Sequence, residues 1–338
     1  MVQAAVAAVE RYGAGTGATR LVGGEIDLYQ ELEREYADFL DLPGVLSFVS
    51  GYLTNLSFLG WVVGPNDLII HDELVHNSMY RGAQLSGARR LSFKHNDDEH
   101  LASLLRTHRA SSEVCLVMVE GAYSMDGDVG NLVPIVDVAR AYDADVYIDE
   151  AHSLGVLGQT GRGIRELAGL PSSRDVIVMS SLSKAMAGVG GIVAGDKDLL
   201  EAARFQTPGA ALYAAGMGPA TAASALASLR VLRQHPEMPQ TLARRSRLFT
   251  QLLGEQELNT GLAGGTPIVP VITGSSLAAV QLSTKLRHHG IIAHAIMHPV
   301  VPEHLARVRF FVNLGHDEAT LAEAARIVGA CARNEIPE

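Results

Sequence analysis

The chain has little cysteine. Two residues in 338, Cys115 and Cys331, stand far apart, and Cys115 falls inside an apolar run. Two such cysteines do not frame a disulfide-stapled fold, so a reducing cytoplasm is the expected setting and Cys115 is expected in the core. Basic residues are also scarce: 27 stand against 37 acidic ones, a formal charge of −10, with no basic run to neutralise a phosphate backbone. Nucleic acid is thereby excluded as the main partner, and an acidic substrate has to be held by individually placed basic groups. A long uninterrupted apolar run is missing too. Residues 45–64 come closest, but Ser47, Ser50, Tyr52, Thr54, Asn55 and Ser57 interrupt them, so the stretch reads as a loop and helix and no membrane span is expected.

What is there is ample core material: 47% hydrophobic against 19% charged residues, enough for one large and one small domain. Residues 2–11 favour a helix. The Gly-x-Gly run at Gly13, Gly15 and Gly17 lacks the preceding apolar strand that dinucleotide binding needs. Leu46–Val49, Asp67–His71, Val114–Glu120 and the run ending at Asp149 read as strands, and residues 134–143 as a helix between the last two. That alternation predicts an α/β fold with a doubly wound, mostly parallel sheet. Near the end, Pro267–Thr273, Ile291–Ile296 and Arg307–Val312 read as strands and 277–289 and 317–332 as helices, a small α/β domain. The expected divisions are residues 1–30 as a helix and glycine-rich loop, 31–220 as the large domain and 221–338 as the small one.

Two stretches carry chemistry. Val176–Met179 and Ile192–Ala194 have the length and β-branched content of buried strands, and between them lies a small, hydroxyl-bearing, glycine-rich segment with one lysine, Lys184. In a buried setting a lysine loses its proton more readily and its neutral amine condenses with an aldehyde. Ser180, Ser181 and Ser183 offer hydroxyls to a phosphate, and Gly188, Gly190 and Gly191 let backbone approach a flat ligand. The other stretch is Asp149-Glu150-Ala151-His152, after an apolar strand, which delivers a carboxylate and an imidazole to the sheet edge where α/β folds bind ligands. Taken alone, this box also suits a metal pair or a helicase-type box, but no glycine-rich loop ending in Gly-Lys-Ser/Thr precedes it. Paired with Lys184 it supplies the acid for a pyridine nitrogen and the Schiff-base amine that pyridoxal phosphate chemistry requires.

With these motifs in place the chain resembles the α-oxoamine synthases, fold-type I pyridoxal phosphate enzymes, over residues 12–327. The resemblance rests on Ser-Leu-Ser-Lys at 181–184, Asp-Glu-Ala-His at 149–152, Glu-Gly-Ala-Tyr-Ser-Met-Asp-Gly-Asp at 120–128, Phe-Lys-His-Asn-Asp at 93–97 and Ala-Arg-Val-Arg at 306–309. It implies the cofactor pyridoxal 5'-phosphate in a large cofactor-binding domain, with no metal. Lys184 is then its covalent anchor and base, and Asp149 holds the ring nitrogen protonated. His76 stacks on the ring, while His152 and Ser124 flank the phenolic oxygen. Ser50, Gly51 and Tyr52 at a helix start, with Ser181, take the phosphate side. Arg309 binds the amino acid's carboxylate, with Arg307 on the same strand face as the competing choice, and Asn55 is assigned to the substrate with it.

The implied reaction condenses a small amino acid (glycine, alanine or serine) with an acyl thioester and releases carbon dioxide, giving a 2-amino ketone. The thioester rides on coenzyme A or on an acyl carrier protein, with a polyketide or natural-product pathway as the suspected setting. Relatives usually carry a longer segment before the glycine-rich loop, so the resemblance also implies a domain excised from a larger protein. Homodimerisation is expected. Ala214 and Ala215 stand where many relatives have hydroxyls that reach the neighbouring subunit's phosphate, which puts that cross-subunit contact in doubt. Arg244, Arg245 and Arg247 read as a solvated helix face, with a docking patch for an acidic carrier as the alternative. Two other functions stay open: an aminotransferase or aldol-type lyase of the same fold, and a catalytically silent partner subunit.

Overall fold

The computed structural model describes residues 1–335. Short β-branched runs alternate with amphipathic stretches, and each becomes the element its period favours. In chain order these are α1 (Val2–Tyr12), α2 (Asp27–Leu40), β1 (Gly44–Phe48), α3 (Gly51–Val62), β2 (Leu68–Asp72), α4 (Asn77–Leu85), β3 (Arg89–Phe93), α5 (Asp98–His108), β4 (Cys115–Glu120), α6 (Leu132–Ala141), β5 (Asp145–Asp149), α7 (Ile164–Ala168), β6 (Val176–Ser181), β7 (Gly191–Gly195), α8 (Lys197–Gln206), α9 (Pro219–Gln234), α10 (Met238–Glu255), β8 (Ile268–Ile272), α11 (Ser276–His288), β9 (His294–Ile296), β10 (Arg307–Phe311) and α12 (Glu318–Ala332). Residues 45–64 fall into β1 and the twelve-residue α3. Among the described residues no helix is long and apolar enough to cross a membrane.

The chain divides into two units, residues 1–121 with 130–236, and residues 122–129 with 237–338. The first is built on a seven-stranded sheet in the order β1-β7-β6-β5-β4-β2-β3. Only β7 runs against the rest, pairing antiparallel with both β1 and β6. The two strands around Lys184 are therefore the arms of a hairpin. One core cluster gathers Leu46, Phe48, Phe58, Leu59, Met118, Tyr147, Met179 and Val193, and Cys115 is buried in β4.

The glycine-rich entry is tied to this sheet by a buried ion network. Arg20 donates to Glu25 at 2.6 Å, to Glu33 at 2.6 Å and to Ser47 at 3.0 Å, and Arg204 reaches the other Glu33 oxygen at 2.6 Å. Burial alone would raise the Glu33 carboxyl, but the two guanidiniums hold it below its usual range.

In the second unit an antiparallel sheet, β8-β10-β9, is covered by apolar side chains that include Phe249, Leu253, Leu282, Leu286, Leu321 and Val328. Strand β9 is shorter than the expected 291–296. After α11 the chain turns through Gly290 at φ +78°, and Ile291 N–H bonds back to Leu286 O at 2.9 Å, which closes the helix and delays the strand to His294. The loop 122–129 belongs here: Thr266 Oγ1 donates to Gly127 O at 2.7 Å, and Gly264 N–H donates to the same oxygen at 3.2 Å.

Candidate active site

Parallel strands that share a direction present all their carboxyl ends on one edge, and in the first unit that edge carries the motif residues. Glu120 closes β4, Asp149 closes β5 and Ser181 closes β6; Ser50 follows β1 and His76 follows β2. Glu120 and Asp149 are register partners across the β4–β5 ladder. Together with Gly51, Tyr52, Asn55, Ser78, Ala151, His152, Met179, Ser183 and Lys184 they line one cavity of about 280 Å³, near the lower end of the ~300–1,000 Å³ range of small-molecule sites.

Asp149 forms the floor. Its carboxylate is buried and accepts from Asn55 Nδ2 at 2.8 Å and from Ala151 N–H at 2.9 Å. Asn55 is itself buried and fully engaged: its oxygen accepts from Tyr147 at 2.8 Å, and its amide nitrogen also donates to Ser78 Oγ at 2.9 Å. His76 caps α4, with Nδ1 2.7 Å from Ser78 Oγ and Tyr52 edge-on at 6.4 Å between centroids. Burial pushes this imidazole below its ordinary range; the Lys184 charge adds to that effect and Asp149 opposes it. Glu120 goes the other way, raised well above the carboxylate range by burial and then by its negative neighbour Asp149.

Lys184 is exposed at the mouth, on the loop that joins β6 to β7. The loop closes on itself, with Leu182 N–H donating to Gly190 O at 2.9 Å and Ala187 N–H donating to Lys184 O at 3.0 Å. Ser181 and Ser183 hydroxyls lie 2.7 Å apart beside it. Opposite, Ser50 caps α3 by accepting Leu53 N–H at 3.2 Å, so the first amides of that helix and its positive dipole end face the serines. The approach is close enough to require glycine on both sides. A Cβ on Gly51 would lie 2.7 Å from Ser181 Cβ, and one on Gly191 would lie 2.3 Å from Thr54 Oγ1.

Ser124, Arg307 and Arg309 lie in the second unit, and the two arginines, left as rivals by the sequence, have different surroundings there. Arg307 is buried and engaged, donating to Asp126 at 2.5 Å and to Met125 O and Leu305 O at 2.9 Å. Arg309 donates through Nη1 to Ser124 O at 2.7 Å, whereas its Nε is buried with no hydrogen bond among the described residues. In the basic cluster, Arg245 is tied to Leu314 O at 2.5 Å and Arg244 lies 3.9 Å from Glu318. Ala215 makes an antiparallel bridge to Thr19.

Glu120, Ser78, Ala151 and Met179 are lining residues that motif reading did not assign. Their signal was weak because a strand end or helix start shared across space leaves no spacing in the sequence; the register of Glu120 beside Asp149 was the one available clue, visible only once β4 and β5 are adjacent. The residues present fit pyridoxal phosphate. The floor offers a donor-held carboxylate to a ring nitrogen, and the α3 start with Ser181 and Ser183 offers a phosphate cradle that a Cβ at Gly51 would fill. An amine stands at the mouth in Lys184.

Comparison with known proteins agrees with this geometry. The aminotransferase class I and II family profile matches residues 1–328. An 8-amino-7-oxononanoate synthase of Methylobacterium nodulans is 39% identical over 98% of this chain and 83% of its own length, and one of Thermoanaerobacter pseudethanolicus is 36% identical over 96% and 81%. A serine palmitoyltransferase from S. paucimobilis, solved with PLP bound, superposes with a TM-score of 0.93 at 28% identity, covering 98% of this chain and 83% of that one.

Proposed function

Because the chain belongs to the aminotransferase class I and II family, in its α-oxoamine synthase branch, we propose that it joins a small amino acid to an acyl thioester with loss of carbon dioxide, giving a 2-amino ketone and a free thiol. The observation that carries this reading is the buried Asp149, hydrogen-bonded by Asn55 and Ala151 at the floor of a cavity with Lys184 at its mouth. Pyridoxal phosphate, when bound, supplies an electron sink for the bond broken at the amino acid's α-carbon.

The chain's own groups do the rest. Asp149 would keep the ring nitrogen protonated through its fixed negative charge. Lys184 would anchor the cofactor and then, as the free amine, remove the α-proton. Ser50, Gly51, Tyr52 and Ser181 would hold the phosphate, with Ser183 beside them. His76 would lie against the ring, and His152 and Ser124 would face the phenolic oxygen. Arg309, with guanidinium nitrogens to spare, is the proposed partner of the amino acid's carboxylate, a forked pairing that fixes which bond is broken. Asn55 is the second residue proposed for the substrate. The acyl donor in this reading is a thioester of coenzyme A or of an acyl carrier protein, and the enzyme works as a homodimer in the cytoplasm. Two buried free cysteines support a reducing setting, and the exposed apolar Val2, Val6 and Val9 along one side of α1 support a partner surface.

The test is an absorbance spectrum of the purified chain with added pyridoxal phosphate, followed by titration with glycine, alanine and serine. A visible band that Lys184→Ala abolishes and that one amino acid shifts is the expected result. A chain that stays colourless, or a product that retains the amino acid's carboxyl group, would sink the proposal.

A further inference from the structure

Four side chains, all at or near zero exposure apart from the imidazole they end on, connect the cavity floor to its edge: Tyr147, Asn55, Ser78 and Asp149. Their hydrogen-bonding capacities leave one consistent assignment. A carboxylate only accepts, so the Asn55 atom 2.8 Å from Asp149 Oδ2 is its amide nitrogen, and the amide oxygen is the atom 2.8 Å from the Tyr147 hydroxyl. Tyr147 therefore donates to Asn55. The second hydrogen of the same amide points at Ser78 Oγ, 2.9 Å away. Ser78, having accepted from Asn55, has one hydroxyl hydrogen to give, and His76 Nδ1 lies 2.7 Å from it. The backbone N–H of Ser78, which can only donate, points at the same ring nitrogen at 3.3 Å. Two donors converge on Nδ1, so Nδ1 presents a lone pair and the ring proton sits on Nε2.

We propose that Asn55, clamped by Tyr147, is a positioning residue that locks His76 through Ser78 as the neutral imidazole with its proton on Nε2. One amide then orients two cavity groups, Asp149 directly and His76 through Ser78. Adding a proton at Nδ1 would deprive both donors of the buried Ser78 of their acceptor. The surrounding charges do not overturn this. Burial acts most strongly and disfavours the imidazolium, Asp149 opposes it, Lys184 acts in the same sense as burial, and Glu120 accepts the His76 backbone N–H. Nε2 makes no hydrogen bond among the described residues, which leaves its N–H for an acceptor oxygen of whatever occupies the cavity.

The functional meaning of this lock rests on the proposed reaction, but the tautomer is a property of the full chain and is measured without turnover. Nitrogen NMR of the histidine-labelled protein at neutral pH, with the His76 signals assigned by their loss in His76→Gln, should show a pyridine-type Nδ1 and a pyrrole-type Nε2. Ser78→Ala should lose that single pattern and Ser78→Thr should restore it. In Asn55→Asp the new carboxyl lies against Asp149 and the two share one proton, so Ser78 loses its amide donor and can accept from Nδ1, and the His76 titration midpoint should move up. A wild-type His76 with its proton on Nδ1, or a pattern that neither Ser78→Ala nor Asn55→Asp alters, overturns the proposal. A chain that binds no pyridoxal phosphate yet shows the Nε2 proton and responds to both variants supports the lock and overturns the proposed reaction instead.

Discussion

Asp149 and Glu150 are consecutive carboxylates of one motif, and because side chains alternate along a strand they leave β5 in opposite directions. Asp149 enters the cavity; Glu150 turns back and organises the next loop, accepting the Ser153 hydroxyl and the N–H groups of Ile164 at 2.9 Å and Arg165 at 3.4 Å. Gly163 lies so close that a Cβ there would be 2.3 Å from the carboxylate. Burial outweighs these donors and pushes Glu150 from its ordinary 4.5 up to about 7. The folded chain therefore keeps a proton between those values that the unfolded chain releases, so this carboxyl's contribution is full below pH 4.5 and is lost as pH rises towards 7. Glu150→Gln removes the titration. Denaturant unfolding at several pH values should show the variant gaining on the wild type by up to about 3 kcal/mol from pH 4.5 to 7.5. A difference that does not change with pH would show that Glu150 is ionised in the fold. At this scale the sequence was most legible where chemistry demands a residue type, as at Lys184, Asp149 and Ser181. It was least legible where the role is a matter of direction, since nothing in Asp-Glu says which carboxylate faces the site, and nothing around Asn55 says that its amide reaches Asp149, Tyr147 and Ser78.

At the scale of elements, alternation of apolar runs with amphipathic stretches was enough to expect strands at the ends of β4, β5 and β6 and the helix α6 between, because period and β-branching are local properties. Direction is not local. The run Ile192–Ala194 looks the same whichever way it is threaded, and its reversal into a hairpin with β6 follows from the short closed loop around Lys184. That hairpin brings Gly191 against α3, where its hypothetical Cβ meets Thr54 Oγ1 at 2.3 Å and Gly51 Cα at 2.9 Å, backbone that cannot yield as a flexible side chain would. Gly191→Ala should therefore cost about 1–3 kcal/mol in overpacking. Because the displaced element is the α3 start that faces Ser181, the same variant should also bind pyridoxal phosphate more weakly. Urea unfolding together with cofactor titration measures both. Lost stability with unchanged cofactor affinity would separate the α3 start from the phosphate cradle.

For the whole molecule, the less legible feature is that the second unit is discontinuous in sequence. Residues 122–129 form a turn-rich segment around Asp126, Gly127 and Asp128 between a strand and a helix of the first unit, and no local property marks them as part of a unit whose sheet begins at Ile268. What binds them there is largely one charge. Arg307 is buried at 1% exposure, and among the described residues its carboxylate partner is Asp126 on that loop, while Met125 O accepts from Nη1 and Leu305 O from Nε. Removing one partner of a buried pair strands the other in a medium that solvates it poorly, which costs more than the pair itself contributes. Asp126→Ala should then destabilise the chain by about 3–5 kcal/mol. Adding Arg307→Met should recover much of that loss, because the stranded charge is gone and an apolar side chain of similar length fills its place. Denaturant unfolding of the two single variants and the double variant measures the coupling directly. Additive losses would mean that Asp126 shapes the turn without holding Arg307, and the loop's place in the second unit would then rest on its backbone bonds at Gly127.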